Sequence, residues 1–155
     1  MRVAWLVWIL PHPDQKYQEQ PQEDNMTNPF RDQEKFMRAC DQSVEGWNQA
    51  QFNLYVNLID EERKELQEAI DACDPVEILD ALEDIIVVTI GAIHSMGADG
   101  DGAWKEVMRT NFAKIDKETG KVRKREDGKV LKPTGWTPPD LEPFVKKGNT
   151  FNKFS

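Results

Sequence analysis

A chain of 155 residues with a formal net charge of −8 and a pI near 4.8 suits one domain with a true core, and it lacks the positive surface that non-specific binding to nucleic acid or anionic membrane requires. Two cysteines, Cys40 and Cys73, are too few for a disulfide framework and lack metal-ligand spacing, so they are expected to be reduced, buried or half-buried thiols of a cytoplasmic protein. No apolar run reaches the length of a membrane span, although an acidic chain can still hold a polyanion where metal ions bridge the two.

The apolar stretch RVAWLVWIL (2–10) carries one arginine, lacks a small-residue cleavage site and runs into polar PHPDQKYQEQPQEDN. Residues 1–25 are therefore expected to be a disordered extension, not a secretory signal. The domain is assigned to 26–141, with 142–155 as a tail. Within it PFRDQEKFMRACDQ places Phe30, Phe36, Met37 and Cys40 near helical spacing, with Pro29 suited to a first turn. The next helix repeats apolar residues at Phe52, Val56, Ile59, Leu66, Ile70 and Cys73. Asp74-Pro75 caps and starts a third helix running to about Met96, where Gly97 stops it. Asp101 is expected to cap a fourth, GAWKEVMRTNFAKI. Beyond it Asp127-Gly128 between short alternating runs predicts a small hairpin, followed by a Pro-rich extended tail. The fold class is all-α: a four-helix-bundle-like domain with a short C-terminal hairpin and an extended tail.

The second helix contains LIDEERKELQEAID (58–71), in which six carboxylates are offset only by Arg63 and Lys64. At about 100° per residue, Glu62 projects about 60° from the line joining Ile59 and Leu66, and Glu65 about 120°. Glu62 thus falls at the margin of the buried stripe, where a merely solvated face would not put a carboxylate. In the third helix Glu77, Asp80 and Asp84 share a side that continues into Val87, Val88 and Gly91. From Ile85 to Ile93 that helix is apolar nearly all round, which implies burial in a bundle or an oligomer interface. Two helices bearing carboxylates at helical spacing beside apolar flanks are the donor set hard divalent cations such as Mg²⁺ or Mn²⁺ prefer. The competing reading is two acidic faces pointing apart and neutralised by Lys and Arg; the third helix has neither residue between Pro75 and Met96. Residues 114–132 hold eight Lys or Arg against four Asp or Glu, a local +4 against −12 elsewhere. That segregation fits an anionic substrate, or equally a basic tail that offsets an acidic bundle.

Four blocks in order, EERKE, DALEDIIVVTIGA, EVMRTNFAK and REDGKVLKPTGWTPPDL, resemble the all-α nucleoside triphosphate pyrophosphohydrolase superfamily, the MazG-type and phosphoribosyl-ATP pyrophosphohydrolase-like proteins common in bacteria and phages. The resemblance spans about Pro29 to Leu141. It implies cleavage of a nucleoside triphosphate between the α and β phosphates, with a deoxynucleotide such as dUTP as the expected substrate. Glu62, Glu65, Asp80 and Asp84 would hold Mg²⁺ or Mn²⁺, and Glu61 would orient or deprotonate the attacking water. Asn111 and Lys114 would contact the phosphates, with Lys129 and Lys132 closing over them. The family's second motif is often E-x-x-D ending at the position of Asp84; here Ala81 stands three residues before it, so Asp80 is assigned as ligand and Glu77 held in reserve. A homodimer or homotetramer is also implied. The rival readings are phosphoribosyl-ATP hydrolysis on the same fold, and a non-enzymatic helical interaction protein.

DGDG (99–102) lacks the later ligands of a calcium loop and needs only capping and a turn. His94 is expected to compensate a helix C-terminus. Trp47 and Trp136 are expected to pack in preference to stacking on a base.

Overall fold

Asn28 begins the ordered architecture by accepting hydrogen bonds from the backbone N–H groups of Phe30 (3.0 Å) and Arg31 (3.4 Å), while Pro29, which has no N–H to satisfy, takes the first helical position. The helix so started is α1 (Pro29–Ala39). The computed structural model describes residues 28–146. The N-terminal extension, the first residues assigned to the domain and the tail beyond 146 lie outside the described residues. Three further helices follow: α2 (Gln49–Asp71), α3 (Pro75–Ser95) and α4 (Gly100–Phe112). Asn48 caps α2 and Asp74 caps α3. Asp99, not Asp101, caps α4, its carboxylate accepting from the Gly102 N–H at 2.9 Å. Asp101 falls in the first turn instead, where it pairs with Lys105 at 2.6 Å and accepts from Asn28. Both positions suit the helix dipole, and sequence alone offered no way to choose between them.

A three-residue turn joins α2 to α3 and makes them an antiparallel hairpin, the principal packing of the fold. Its middle residue, Cys73, is exposed and adopts a left-handed φ of 54°, so the expected burial of that thiol is corrected; Cys40 is half-buried. Gly91 lets the hairpin close: a Cβ there would overlap the Tyr55 ring, so this ring lies directly on the α3 backbone. Met37, Tyr55, Val88 and Ala92 form the core, flanked by Val44, Phe52, Leu58 and Ile59. Tyr55 donates its hydroxyl to Gln42 (2.6 Å), and Gln51 bridges Ser43 and Ser95, fastening the α1–α2 connection to the hairpin.

The buried line of α2 is Tyr55, Glu62 and Ala69. The stripe read from Phe52, Ile59 and Leu66 is only half-buried, and Ile70 is exposed. Contact with Gly91 turns the helix so that Tyr55, rather than the aliphatic residues, faces α3 most directly. Phe36 likewise faces solvent while its neighbour Met37 is fully enclosed. His94 is buried, and its Nε2 lies 2.8 Å from the carbonyl oxygen of Phe30. It lies in the last turn of α3, as expected of a residue at a helix end, and in addition ties α3 to α1.

After α4 the chain forms two isolated antiparallel bridges, Ile115–Val122 and Lys124–Val130, around a turn at Gly128 with φ 82°. This is the expected hairpin reduced to its pairing contacts, without strands among the described residues. Trp136 then returns to α4, its indole N–H donating to the Thr110 carbonyl at 2.8 Å, and a short 3₁₀ turn (Glu142–Phe144) closes on the start of α4.

Much of the outer surface of α3 remains open. Leu79 is 60 % exposed and Ile86 48 %, and Trp104 of α4 is 56 % exposed. The apolar segment Ile85–Ile93 is therefore not buried all round within one chain. Between α1, α3 and α4 lies a groove of about 760 Å³ lined by Phe30, Ile86, Ile90, Ile93 and Trp104. Among the described residues no helix is long and apolar enough to cross a membrane.

Candidate metal and phosphate site

Glu62 retains only 3 % of its exposure. The margin position read from Ile59 and Leu66 is thus superseded, because the carboxylate stands in the most deeply buried line of α2. Glu65, one turn on, is half-buried, whereas Glu61 and Glu68 on the flanks are exposed. Across the hairpin Asp84 is half-buried, and Asp80 and Glu77 toward the start of α3 are exposed. The structure thus grades the acidic residues by depth, which their spacing alone did not reveal.

The electrostatics follow that grading. Burial raises the Asp84 carboxyl above its ordinary range, and the Asp80 charge one turn away raises it further. Glu65 is raised first by burial, then by Glu68 and by Asp84 across the hairpin. Ion pairs among the described residues lie elsewhere: Arg38 with Glu34 and Glu45, Lys105 with Asp101, Arg109 with Glu106, and Arg125 with Asp127. None engages Glu65, Asp80 or Asp84. Carboxylates such as Glu65 and Asp84, raised first by burial and then by neighbouring negative charge and without a Lys or Arg ion pair among the described residues, are the oxygen donors a hard dication favours, so the residue types fit such an ion. As the side chains stand, no three His, Cys, Asp or Glu of the described residues are gathered closely enough to hold one. The hairpin presents a row of donors, not a finished coordination sphere.

The basic residues form a second group at the end of α4. Lys114 donates to the Asn111 side-chain oxygen at 2.8 Å, and its ammonium lies 5.2 Å from the centre of the Trp136 ring. Lys132 reaches the same ring at 4.2 Å. Lys114 and Lys132 thus meet at one indole, with Asn111 joined to the first of them. Lys129 sits on the hairpin turn, where its backbone N–H donates to Asp127 at 3.1 Å, and among the described residues no contact carries its side chain to Trp136. Trp136, expected to pack in preference to stacking on a base, is half-buried, and its ring receives both ammonium groups, a role its place just after the basic residues 114–132 did not specify. Near it, Glu106 is held at about 2 by hydrogen bonds from Arg109 and then from the Asp140 backbone. That carboxylate is engaged in anchoring the extended tail to α4.

A family model described as phosphoribosyl-ATP pyrophosphohydrolase matches residues 30–111, more than half of the chain. The match takes in the carboxylate-bearing hairpin and ends at Asn111, before the basic arm. No curated protein is matched.

The raised Asp84 carboxyl has a stability consequence. A carboxyl whose folded pKa exceeds its unfolded value binds protons more tightly when folded, so its ionisation costs stability once pH rises through that range. Asp84→Asn, melted at pH 7 in chelator, is expected to unfold at a temperature no lower than the parent. Any gain should disappear as pH falls and the parent carboxyl protonates. Glu68→Gln, at an exposed position, should stay within about 0.5 kcal/mol of the parent. A strongly destabilised Asp84→Asn would show that the charge is structurally required.

Proposed function

The chain belongs to the phosphoribosyl-ATP pyrophosphohydrolase family, and from that premise we propose that it hydrolyses a nucleoside triphosphate, a deoxynucleotide such as dUTP, to the monophosphate and pyrophosphate. It is a nucleotide pyrophosphohydrolase; the substrate and the roles of individual residues are the proposal. The observation that carries it is the row of Glu65 and Asp84 near each other across α2 and α3 beside buried Glu62, where among the described residues no Lys or Arg forms an ion pair with Glu65 or Asp84. Phosphoribosyl-ATP is the second reading, favoured by the family's own description.

Glu62, Glu65, Asp80 and Asp84 would hold Mg²⁺ or Mn²⁺, with Glu77 as substitute for Asp80. A bound dication supplies positive charge against the phosphates and lowers the pKa of a coordinated water. Glu61, exposed beside Glu62, accepts the proton of the attacking water. The water oxygen bonds to phosphorus as the α–β bridging bond breaks, and the electron pair leaves on pyrophosphate. Asn111, Lys114 and Lys132 receive phosphate oxygens, with Lys129 approaching from the hairpin turn. A site so organised on helices exposed to solvent suits a cytoplasmic enzyme.

A second copy of the chain is proposed to cover the apolar face of α3 and α4, since exposed Ile86 and Trp104 share one groove, the kind of apolar patch that marks an interface. Light scattering should give at least twice the 17.9 kDa chain mass; a monomer at micromolar concentration would contradict this.

The activity is tested by pyrophosphate release over the canonical and deoxy nucleoside triphosphates and phosphoribosyl-ATP, with Mg²⁺ and with Mn²⁺. Pyrophosphate and monophosphate should appear in equal amounts and both should vanish with chelator. Asp84→Asn should lower turnover by at least the ~100-fold that even loss of an outer-sphere partner can cost a metal site. Release of orthophosphate alone would overturn the assignment of the cleaved bond.

A further inference from the structure

Lys114 follows α4 and Lys132 lies on the far side of the hairpin, yet both ammonium groups come to one ring, at 5.2 and 4.2 Å from its centre. Like charges separate unless something holds them. Here the ring is held first: its N–H donates to the Thr110 carbonyl at 2.8 Å, the Thr110 residue is itself buried, and the Trp136 backbone N–H donates to Pro133 at 3.1 Å. Gly135, at φ 78°, supplies the left-handed turn that directs the ring back to α4. The electron-rich face then attracts each ammonium. Lys114 is fixed a second time through Asn111. Among the described residues no Asp or Glu forms an ion pair with Lys114 or Lys132, so neither charge is spent on the protein's own carboxylates.

We infer that Trp136 is a positioning residue that holds Lys114 and Lys132 as a two-ammonium clamp for the polyphosphate chain of the substrate. This rests on the proposed function only in naming the anion. The separation of the two nitrogens cannot exceed the sum of their distances to the ring centre, a span that one chain of linked phosphates can bridge. Ring faces that receive ammonium groups are not free to stack on a base, so the indole acts on the phosphates through its lysines. The full site has a division of labour: oxygen donors on the α2–α3 hairpin for a cation, and an indole-organised pair of ammonium groups for the anion.

Inorganic tripolyphosphate is the probe, titrated calorimetrically into the full chain with Mg²⁺ across a range of salt concentrations, beside steady-state kinetics on whichever nucleotide is hydrolysed. Trp136→Leu removes the ring; Trp136→Phe keeps a face but loses the N–H anchor; Lys132→Gln removes one ammonium from an exposed position. Trp136→Leu should weaken tripolyphosphate about tenfold and raise KM by a similar factor with kcat changed far less. The salt dependence should become shallower in both Trp136→Leu and Lys132→Gln, and Trp136→Phe should restore a good part of the affinity. A purely structural indole would instead lower the melting temperature and leave the salt slope of the folded fraction unchanged; that result overturns the clamp, as does parental affinity in Trp136→Leu. If the parent binds tripolyphosphate in this manner but hydrolyses no nucleotide, the functional reading fails while the clamp stands. If nucleotides are hydrolysed and Lys132→Gln binds tripolyphosphate as the parent does, the clamp fails alone.

Discussion

The rest of the structure depends on carboxylates carried into the contact between two antiparallel helices. Glu62 occupies the line of α2 that also contains Tyr55 and Ala69, a place where an apolar residue would serve packing better. Removing an ion from water costs several kcal/mol, and the cost rises when like charges face one another, as Glu65 and Asp84 do. Folding energy gathered elsewhere must offset it. Asp74 caps the start of α3, Tyr55 lies on bare backbone at Gly91, and Gln51 with Ser95 closes the opposite end of the hairpin. These features hold the donor row in place without drawing on its charges. Stability and chemistry thus use different parts of the same two helices.

The remaining elements extend that separation. α4 continues from the far end of α3 and presents an exposed apolar surface together with Asn111. Beyond it, the hairpin and the Pro-rich segment bring Lys132 and Trp136 back to the end of α4. The acidic bundle and basic arm are therefore linked in one fold, and among the described residues no ion pair joins that arm to Glu65, Asp80 or Asp84. Such separation leaves both signs of charge available to a metal-bound anion.

Several features were legible in the sequence because each is decided locally. Pro29 suits a first helical turn and Asp74-Pro75 starts a helix by capping and restricted φ, as read from the sequence. Clustering of carboxylates on α2 and α3 was likewise apparent from spacing. Depth was not. An angle measured from Ile59 and Leu66 assumed that aliphatic residues face the partner, whereas the Tyr55–Gly91 contact rotates the helix and carries Glu62 inward. Tertiary and local competition also added what spacing could not show: His94, in the last turn of α3, finds the Phe30 carbonyl on another helix, and Asp99 reaches the Gly102 N–H in place of Asp101, the expected cap. Trp136 was read only as a packing residue because its contacts lie with residues apart in sequence, Thr110, Lys114 and Lys132, that meet only after folding.

The central claim is that the row formed by Glu62, Glu65, Asp80 and Asp84 exists to bind a hard dication. Its most direct test is Mn²⁺ binding to the intact chain in the absence of nucleotide, followed by calorimetry and by electron paramagnetic resonance of the free ion. At neutral pH at least one Mn²⁺ per chain should bind, Mg²⁺ should compete for it, and binding should raise the melting temperature with ion concentration as linkage requires. Absence of bound Mn²⁺ at millimolar concentration, with an unchanged melting temperature, would contradict the account at its base.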